Sequence, residues 1–204
     1  MLATDLLRSG VLQGSGVLVA GAFAEDGSLG AAVGAGCEEL GARVSYCVPD
    51  AQEEEPVDGA VREVLEATGA IDVLVVDGAA LFARGGEAQA ALRACVDASW
   101  NVTRAVVNVA FLPVRRGGRI VYLAPALESP ARPRAGPARA GLENLARTLS
   151  IEWARHGITT ATIAPGRAGD SSADEVAALT AYLASPAGAY FSGCLFDLAG
   201  TRRD

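Results

Sequence analysis

Short apolar runs alternate along the chain with longer segments in which apolar residues recur at helical spacing. The runs are continuously apolar, which is typical of strands in a parallel sheet that is covered on both faces. They predict six strands, at residues 16–21, 42–47, 71–76, 119–123, 158–163 and 194–198. Strands that alternate with helices indicate an α/β fold built on a parallel sheet.

The segments between the strands have the apolar period of amphipathic helices. They predict helices at residues 28–40, 57–68, 87–114 and 173–184, together with one that contains residues 142–153. Gly41 and Gly157 follow two of these helices, where glycine suits the left-handed backbone that ends a helix. No linker or internal repeat interrupts the pattern, so residues 1–204 are interpreted as one domain.

The charge balance narrows the possible partners. The chain has 17 basic and 24 acidic residues, a net charge of −7, which predicts no surface for nucleic acid or an anionic membrane. No apolar run reaches the roughly 18 residues of a membrane span. The first ten residues lack the basic and apolar regions of a secretory signal, so we expect a cytoplasmic protein.

All 17 basic residues are arginine, and the absence of lysine excludes several chemistries. A Walker A phosphate loop and a Schiff-base enzyme both need a lysine. The four cysteines Cys37, Cys47, Cys95 and Cys194 are scattered, and His156 is the only histidine, so no metal site is predicted. No serine lies in a G-x-S-x-G elbow, which argues against a serine hydrolase.

Several segments, in a fixed order, carry a resemblance to a known family. A glycine-rich turn links the first strand to the first helix, and it is followed by IDVLVVDGAA, WNVTRAV, GGRIVYL, RAGLENLARTLSIEWARHGI, IAPG and EVAALTAYLAS. Over nearly its whole length the chain resembles the short-chain dehydrogenase/reductase (SDR) family. The resemblance implies a Rossmann-like doubly wound parallel sheet of about six strands with helices on both faces, a nicotinamide cofactor and a Ser-Tyr-Lys catalytic set.

The resemblance also locates the family's catalytic positions, and none of the four keeps its residue. The tyrosine position falls at Ala135 and the lysine position at Arg139. The serine position falls at Pro125, and that of the supporting asparagine at Cys95. Alanine has no ionisable proton and arginine does not deprotonate under ordinary conditions, so the family's proton relay is predicted to be absent.

The nucleotide turn departs from the family pattern as well. A dinucleotide needs backbone N–H groups and a helix N-terminus directed at its pyrophosphate. The turn here is longer than usual, although its spacing is similar to that of the enoyl-reductase branch, and its key residues are Gly21, Glu25, Asp26, Gly27, Ser28 and Gly30. Two carboxylates therefore stand where phosphates would approach. Asp77 replaces the family's asparagine, and we expect that neither NAD nor NADP binds.

Two further segments are short compared with the family. Residues 44–71 leave no room for the family's usual helix, strand and helix, so the strand on the adenine side is predicted to be missing. Only residues 167–172 separate the IAPG motif from the last helix. We therefore expect no substrate lid.

These losses lead to three hypotheses about function. The first is a catalytically inactive structural or regulatory subunit, paired with a homologous active chain in an SDR-type dehydrogenase, with a hydroxyacyl-CoA as one candidate substrate type. The second is a diverged NAD(P)-dependent oxidoreductase, similar to 3-oxoacyl or enoyl reductases, or a lyase, using groups such as Arg139, Asp77 or Glu128. The third is a ligand-sensing or scaffold homo-oligomer.

Assembly is predicted from the two long helices, which the family uses to form oligomers. Both helices are apolar over more of their circumference than one sheet face can cover. The predicted interface anchors are Trp100, Val107, Phe111, Leu142, Leu149 and Trp153. The partner is expected to be a homologous chain or a second copy.

Overall fold

A computed structural model of the chain describes residues 7–48, 54–127, 135–166 and 172–198. Six strands in these ranges form one sheet: β1 (Gly16–Ala20), β2 (Arg43–Cys47), β3 (Val73–Asp77), β4 (Gly118–Leu123), β5 (Ile158–Ala164) and β6 (Cys194–Asp197). Their order is β2-β1-β3-β4-β5-β6, and every neighbouring pair is parallel. The predicted parallel sheet of about six strands is confirmed.

Helices cover both faces of this sheet. They are α1 (Leu29–Glu39), α2 (Glu55–Thr68), α3 (Gly78–Arg84), α4 (Ala88–Val106), α5 (Leu112–Val114), α6 (Ala135–Glu152) and α7 (Ala173–Ala184). Helices α1 and α7 pack together on one face, and α2, α4 and α6 lie side by side on the other. The molecule is therefore a Rossmann-like doubly wound α/β fold, as the resemblance implied.

The sheet has buried residues on both faces, which explains why its strands read as continuous apolar runs. All five residues of β1 and all five of β3 are buried. Polar side chains in the neighbouring strands are paired: the Thr160 hydroxyl on β5 donates to the Ala146 carbonyl oxygen on α6 at 2.6 Å. Tyr122 on β4 is fully buried and shares a 3.0 Å hydrogen bond with Thr103 on α4.

Because the strands are parallel, the sheet has two chemically different edges. We call the edge where the strands end, at Ala20, Asp77, Leu123 and Ala164, the carboxyl edge. The opposite edge, where β4 and β5 begin at Gly118 and Ile158, is the amino edge. The chain runs from β1 to β2 in one direction and from β3 to β6 in the other, so the strand order reverses between β1 and β3. Ligands of such folds bind at the carboxyl edge beside this reversal.

Three elements differ from the predicted pattern. Helix α3 was not predicted, because its seven residues are too few for a helical period to stand out. Helix α6 begins at Ala135 and includes Pro137, which lies in its first turn, where a missing N–H is tolerated. The predicted long helix at 87–114 is interrupted by a π-helical turn at Val107–Phe111 before α5.

The π-helical turn accommodates a close contact at the amino edge. The Phe111 ring lies so near Gly118 that a Cβ atom added to this glycine would meet the ring at 2.4 Å. Phe111 is 1% exposed. Gly118 is thus required by packing against Phe111.

The remaining segments bear on two other predictions. Residues 167–171 lie outside the described residues, and most of the predicted lidless connection falls there. Only one helix, α2, is found between β2 and β3 in the described part of the chain, with residues 49–53 outside it. None of the helices in the described ranges is long and apolar enough to cross a membrane.

Candidate functional site

A cleft of about 450 Å³ opens at the carboxyl edge, beside the reversal of strand order. The turn after β1 and the start of α1 form one wall, and α3 forms the other. Its lining residues are Asp26, Gly27, Ser28, Leu29, Asp77, Ala79, Ala80, Ala83 and Arg84. This is the position at which doubly wound folds bind nucleotides.

Asp77 connects the two walls of the cleft. It is the last residue of β3 and is fully buried. Its Oδ2 accepts a 2.6 Å hydrogen bond from the Gly30 N–H in the first turn of α1, and its Oδ1 accepts one of 2.8 Å from the Ala80 N–H in α3. One carboxylate therefore satisfies donors at the N-termini of two helices.

Burial, hydrogen bonds and a neighbouring charge all act on the pKa of Asp77. Burial raises the pKa of this carboxyl group above its ordinary value, and the hydrogen bonds from Ala80 and Gly30 act in the opposite direction. The charge of Asp26 also raises it.

Asp26 has a similar role in the glycine-rich turn, but at the surface. Its Oδ2 accepts a hydrogen bond from the Phe23 N–H and its Oδ1 accepts one from the Ser28 N–H, both at 2.9 Å. Burial alone would raise the pKa of Asp26, but hydrogen bonds from Ser28 and Phe23, with the Arg84 charge, outweigh it and lower the pKa. The carboxylate form of Asp26 is thus the form that stabilises the turn.

Arg84, at the end of α3, holds this turn from the opposite wall. Its guanidinium donates to the Gly21 carbonyl oxygen at 2.7 Å and pairs with Asp26 at 3.2 Å. The guanidinium carbon also lies 5.4 Å from the centre of the Phe23 ring, within reach of a cation–π contact. Arg84 therefore fixes the entrance of the cleft.

The backbone donors of the turn serve this chain's own oxygen atoms. The N–H groups of Phe23 and Ser28 bond to Asp26, and that of Gly30 bonds to Asp77. The Ala31 N–H donates to the Ser28 hydroxyl at 3.1 Å. These are groups that the fold would offer to a pyrophosphate, so the donor set in this arrangement does not fit one. Glu25 is exposed in the same turn and adds a second negative charge at its surface.

Packing explains two of the glycines in the turn. Gly21 has a φ of +89°, which favours glycine, and an added Cβ would lie 3.0 Å from the Asp77 carbonyl oxygen. At Gly30 an added Cβ would lie 2.7 Å from the Ala22 Cβ and 2.9 Å from Asp77 Oδ2. The chain's own side chains occupy the space that these glycines leave.

The four lost catalytic positions have no acid/base group in the structure. Cys95 is buried beneath α3, and burial raises the pKa of its thiol to about 12. Pro125 is buried just beyond β4, and Ala135 is 4% exposed at the start of α6. None of these three side chains can transfer a proton at neutral pH.

Arg139, at the lysine position, is 6% exposed and fully engaged. Its guanidinium pairs with Asp197 at 2.6 Å and donates to the Pro165 carbonyl oxygen at 3.0 Å. These contacts join α6 to the ends of β5 and β6. Arg139 therefore connects α6 to the sheet, and its guanidinium is paired with the Asp197 carboxylate.

The predicted interface anchors divide into two groups. Val107, Phe111, Leu142 and Leu149 are at most 5% exposed within this chain's own core, so they are not available to a partner. Helix α4 lies between α2 and α6 as well as on the sheet, and these neighbours cover the apolar surface that we had assigned to an interface. Trp100 remains 37% exposed and Trp153 partly so. Assembly with a homologous or identical chain stays a prediction.

The strand order, the helix N-terminus at the reversal and the cleft define a Rossmann-like doubly wound fold. A family model described as enoyl-(acyl carrier protein) reductase matches residues 10–169. The chain therefore belongs to the short-chain dehydrogenase/reductase family, in the group that this model represents.

Individual relatives give the same result. The subunit BbsD of (2S)-[(R)-hydroxy(phenyl)methyl]succinyl-CoA dehydrogenase from Thauera aromatica is 34% identical over 62% of this chain and 53% of its own. The chain thus spans about half the length of that relative. Oxidoreductase UcpA of Escherichia coli (strain K12) is 26% identical over 84% of this chain and 72% of its own.

Solved structures agree in fold. The citronellol catabolism dehydrogenase AtuB of Pseudomonas aeruginosa PAO1 superposes with a TM-score of 0.79 at 26% identity, over 96% of this chain and 98% of that one. A short-chain dehydrogenase from Mycobacterium smegmatis gives a TM-score of 0.77 at 23% identity, over 98% of this chain and all of that one (100%). The second likeness concerns the fold alone.

These relatives contradict two of our predictions. They are named as dehydrogenases and oxidoreductases, and the family acts with NAD or NADP. The comparisons therefore contradict the hypothesis of a catalytically inactive subunit. They also contradict the expectation that no nicotinamide cofactor binds. Both predictions rested on changes at single positions and not on the membership of the family.

Sequence reasoning missed the roles of the two residues that organise the site. Asp77 was identified as the replacement for asparagine and as a candidate reactive group, but not as a helix cap, although an aspartate directly after a strand and before a short helical segment is a helix-capping signal. Arg84 lies 58 residues from Asp26 along the chain, and no local pattern indicates their contact.

Proposed function

We propose that the protein is a diverged NAD(P)-dependent oxidoreductase of the SDR family. Its membership of the family carries the proposal, together with the cleft at the carboxyl edge. The cleft lies where dinucleotides bind in doubly wound folds, beside the N-terminus of α1.

The proposed substrates are acyl thioesters with a 3-oxo, 3-hydroxy or enoyl group. The description of the family model, enoyl-(acyl carrier protein) reductase, supports this class. The relative from Thauera aromatica, a subunit of (2S)-[(R)-hydroxy(phenyl)methyl]succinyl-CoA dehydrogenase, supports it as well. The proposed reaction moves a hydride between the nicotinamide and the acyl chain, with a proton supplied at the substrate oxygen or carbon.

The proposal requires one rearrangement of the turn after β1. Asp26 has to release the N–H groups of Phe23 and Ser28 before a pyrophosphate can accept from them. Asp26 is near the surface and belongs to a loop, so its side chain can turn outward at modest cost. Asp77 is buried between two helices and is expected to stay in place.

The proposal also requires a proton donor other than the family's tyrosine. Ala135 has no ionisable proton, and the guanidinium of Arg139 is engaged in the ion pair with Asp197. The other groups that the sequence suggested are Asp77, which is bonded to two helix N-termini, and Glu128, which lies outside the described residues. A change of proton donor is the feature that distinguishes this chain from the family's usual chemistry.

Two measurements on the purified protein test the proposal. Titration calorimetry with NADH and NADPH should give saturable binding, and acetoacetyl-CoA or crotonyl-CoA should cause oxidation of the bound cofactor. The substitution Ala83→Tyr, at an exposed position that lines the cleft, should fill the cleft and abolish the binding of NADH and NADPH. The matched variant Ala67→Tyr, on an exposed position of α2, should bind like the original protein.

The result that overturns the proposal is equally clear. If neither NADH nor NADPH binds at millimolar concentration, the oxidoreductase function is excluded. If they bind equally well to the Ala83→Tyr and Ala67→Tyr proteins, the cofactor site lies elsewhere.

A further inference from the structure

A second cavity, of about 350 Å³, lies at the amino edge of the sheet, away from the nucleotide cleft. It is formed where the segments that precede β4, β5 and β6 meet. Its lining residues are Arg116, Gly118, Arg119, Ser150, Ala154, Gly157, Ile158, Thr159, Ala189 and Ser192. Two of the ten are cationic, three have hydroxyl groups and none is acidic.

Arg119 provides the first argument that this cavity binds a ligand. Its Nε atom is buried and has no hydrogen-bond partner. Burial lowers the pKa of this guanidinium, while the nearby Asp72 acts in the opposite direction. Asp72 is not an ion-pair partner of Arg119, and its Oδ2 accepts a 2.9 Å hydrogen bond from the Gly16 N–H. A buried N–H donor on a cation needs an acceptor, and an anion is the best one.

The surroundings of Arg119 add further positive charge. Arg116 lines the same cavity and forms no ion pair with any residue in the described ranges. A neighbouring cavity of about 420 Å³ lies beside the segments that precede β4 and β5, and its lining includes Arg115, Arg155 and His156. The arginines of the two cavities therefore make this edge locally positive in a chain with a net charge of −7.

One hydroxyl group of the cavity, that of Ser192, can donate to an anion. The Ser150 hydroxyl donates to the Arg147 carbonyl oxygen at 2.7 Å. The Ser192 oxygen accepts a weak hydrogen bond of 3.4 Å from the Thr160 N–H, which leaves its own proton free for an acceptor. Ser192 can therefore donate to a ligand between it and the two arginines.

We propose that the amino-edge cavity, through Arg116, Arg119 and Ser192, binds a phosphate group, as inorganic phosphate or as the terminal group of a small phosphate ester. A dianion matches two guanidinium groups, each of which can donate two parallel N–H bonds to phosphate oxygens. The cavity exceeds the volume of one phosphate, so the ester also has room. This site is independent of the proposed function, because it lies at the opposite edge of the sheet from the nucleotide cleft.

The test measures binding of three probes to the purified chain by calorimetry at low ionic strength. Inorganic phosphate should bind with a dissociation constant of about 1 mM or below. Glycerol 3-phosphate distinguishes the ester from the free ion, and the one that binds more tightly identifies the source. Acetate, a monoanion, should bind at least about tenfold more weakly than phosphate. A rise of the unfolding temperature with phosphate concentration provides a second readout.

Three variants identify the site. Arg119→Gln should weaken phosphate binding about tenfold, because the substitution removes a charged, half-buried donor from the cavity. Arg116→Gln should weaken it about threefold, and since Arg116 is exposed this variant should fold normally. The matched control Arg93→Gln, at an exposed position of α4, removes the same charge outside the cavity and should bind phosphate like the original protein.

Two outcomes overturn this proposal. The first is the absence of saturable binding of either phosphate probe at tens of millimolar. The second is equal binding by the Arg116→Gln, Arg119→Gln and Arg93→Gln proteins, which would attribute the effect to general charge. Repeating the phosphate titration with saturating NADH keeps this result separate from the proposed function, because phosphate affinity should not change.

Discussion

The two edges of the sheet handle charge in opposite ways. At the carboxyl edge, carboxylates accept hydrogen bonds from backbone N–H groups, and Asp77 alone serves the first turns of two helices. At the amino edge, the buried Nε of Arg119 has no hydrogen-bond partner and Arg116 forms no ion pair among the residues that the structure describes. At the carboxyl edge the backbone N–H groups bond to carboxylates of this chain. At the amino edge an N–H donor of Arg119 has no acceptor in the described part of the chain.

The doubly wound fold therefore does not by itself determine which edge of the sheet attracts an anion. The helix N-termini of a doubly wound sheet favour anions at the carboxyl edge. In this chain Asp26 and Asp77 already provide the negative charge there, so a ligand has to compete with them. At the amino edge an incoming anion would meet donors that have no competing acceptor.

The largest effect is expected for Phe111→Glu at the amino edge. Phe111 is 1% exposed and packs on Gly118, so the variant loses a core aromatic and buries an unpaired charge. A loss of more than about 4 kcal/mol is expected, a large part of a domain's stability. Urea unfolding measures it, with Val114→Glu, at a 53% exposed position, as the control that should change little.

This variant also separates the core from an interface. Unchanged stability of Phe111→Glu together with a smaller mass in solution would restore Phe111 as an interface anchor. A loss of folded protein at every concentration would confirm its place in the core.

The next largest effect is expected for Asp77→Ala at the carboxyl edge. The substitution leaves the N–H groups of Gly30 and Ala80 without their acceptor in a buried place. The free energy of unfolding should fall by about 2–4 kcal/mol, the cost of two lost helix caps. Ser28→Ala removes one cap, that of Ala31, and should lose about 1 kcal/mol.

The free energies of unfolding of Asp77→Ala and Ser28→Ala in urea are compared directly. If Asp77→Ala is no less stable than Ser28→Ala in urea, the buried carboxylate does not hold the two walls of the cleft together. The isosteric Asp77→Asn keeps one acceptor oxygen and should lie between the two.

A smaller effect is expected for Asp26→Asn, measured as the affinity for NADH. Removing the charge that competes for the N–H groups of Phe23 and Ser28 should tighten binding about fivefold. Glu25→Gln makes the same change of net charge one residue away, at a side chain outside this hydrogen-bond network. Equal gains in both variants would mean that overall charge, and not the occupied donors, limits the affinity.

The smallest effect is a difference in how two neighbouring carboxylates respond to pH. The pKa of Asp26 is lowered, so its stabilising contribution is present above the ordinary aspartate pKa and is lost as pH falls through the lowered value. The pKa of Asp77 is raised, so its contribution is present below the ordinary value and is lost as pH rises through the raised value.

Urea unfolding between about pH 2.5 and about pH 7, at roughly half-unit steps, checks this difference, because the Asp26 contribution changes below the ordinary aspartate pKa and the Asp77 contribution changes above it. The stability of the original protein relative to Asp26→Asn should increase with pH, and its stability relative to Asp77→Asn should decrease. The same sign for both variants would contradict the opposite environments of the two groups.

The sequence by itself determined the layered α/β fold, the parallel sheet and the loss of the Ser-Tyr-Lys set. Strands such as β1 and β3 are buried on both faces, and that condition leaves a continuous apolar run in the chain. Ala135 and Arg139 could likewise be assigned directly, because a residue type states which protons a side chain can exchange.

Only the tertiary structure decided what covers each apolar surface and which donors are occupied. The pattern of α4 does not record that α2 and α6 flank it, so Val107 and Phe111 looked like interface residues although they belong to the core. The hydrogen bond between Gly30 and Asp77 joins residues 47 positions apart. Local periodicity reports how much of a side chain is buried, but the identity of its neighbours depends on contacts that the fold creates.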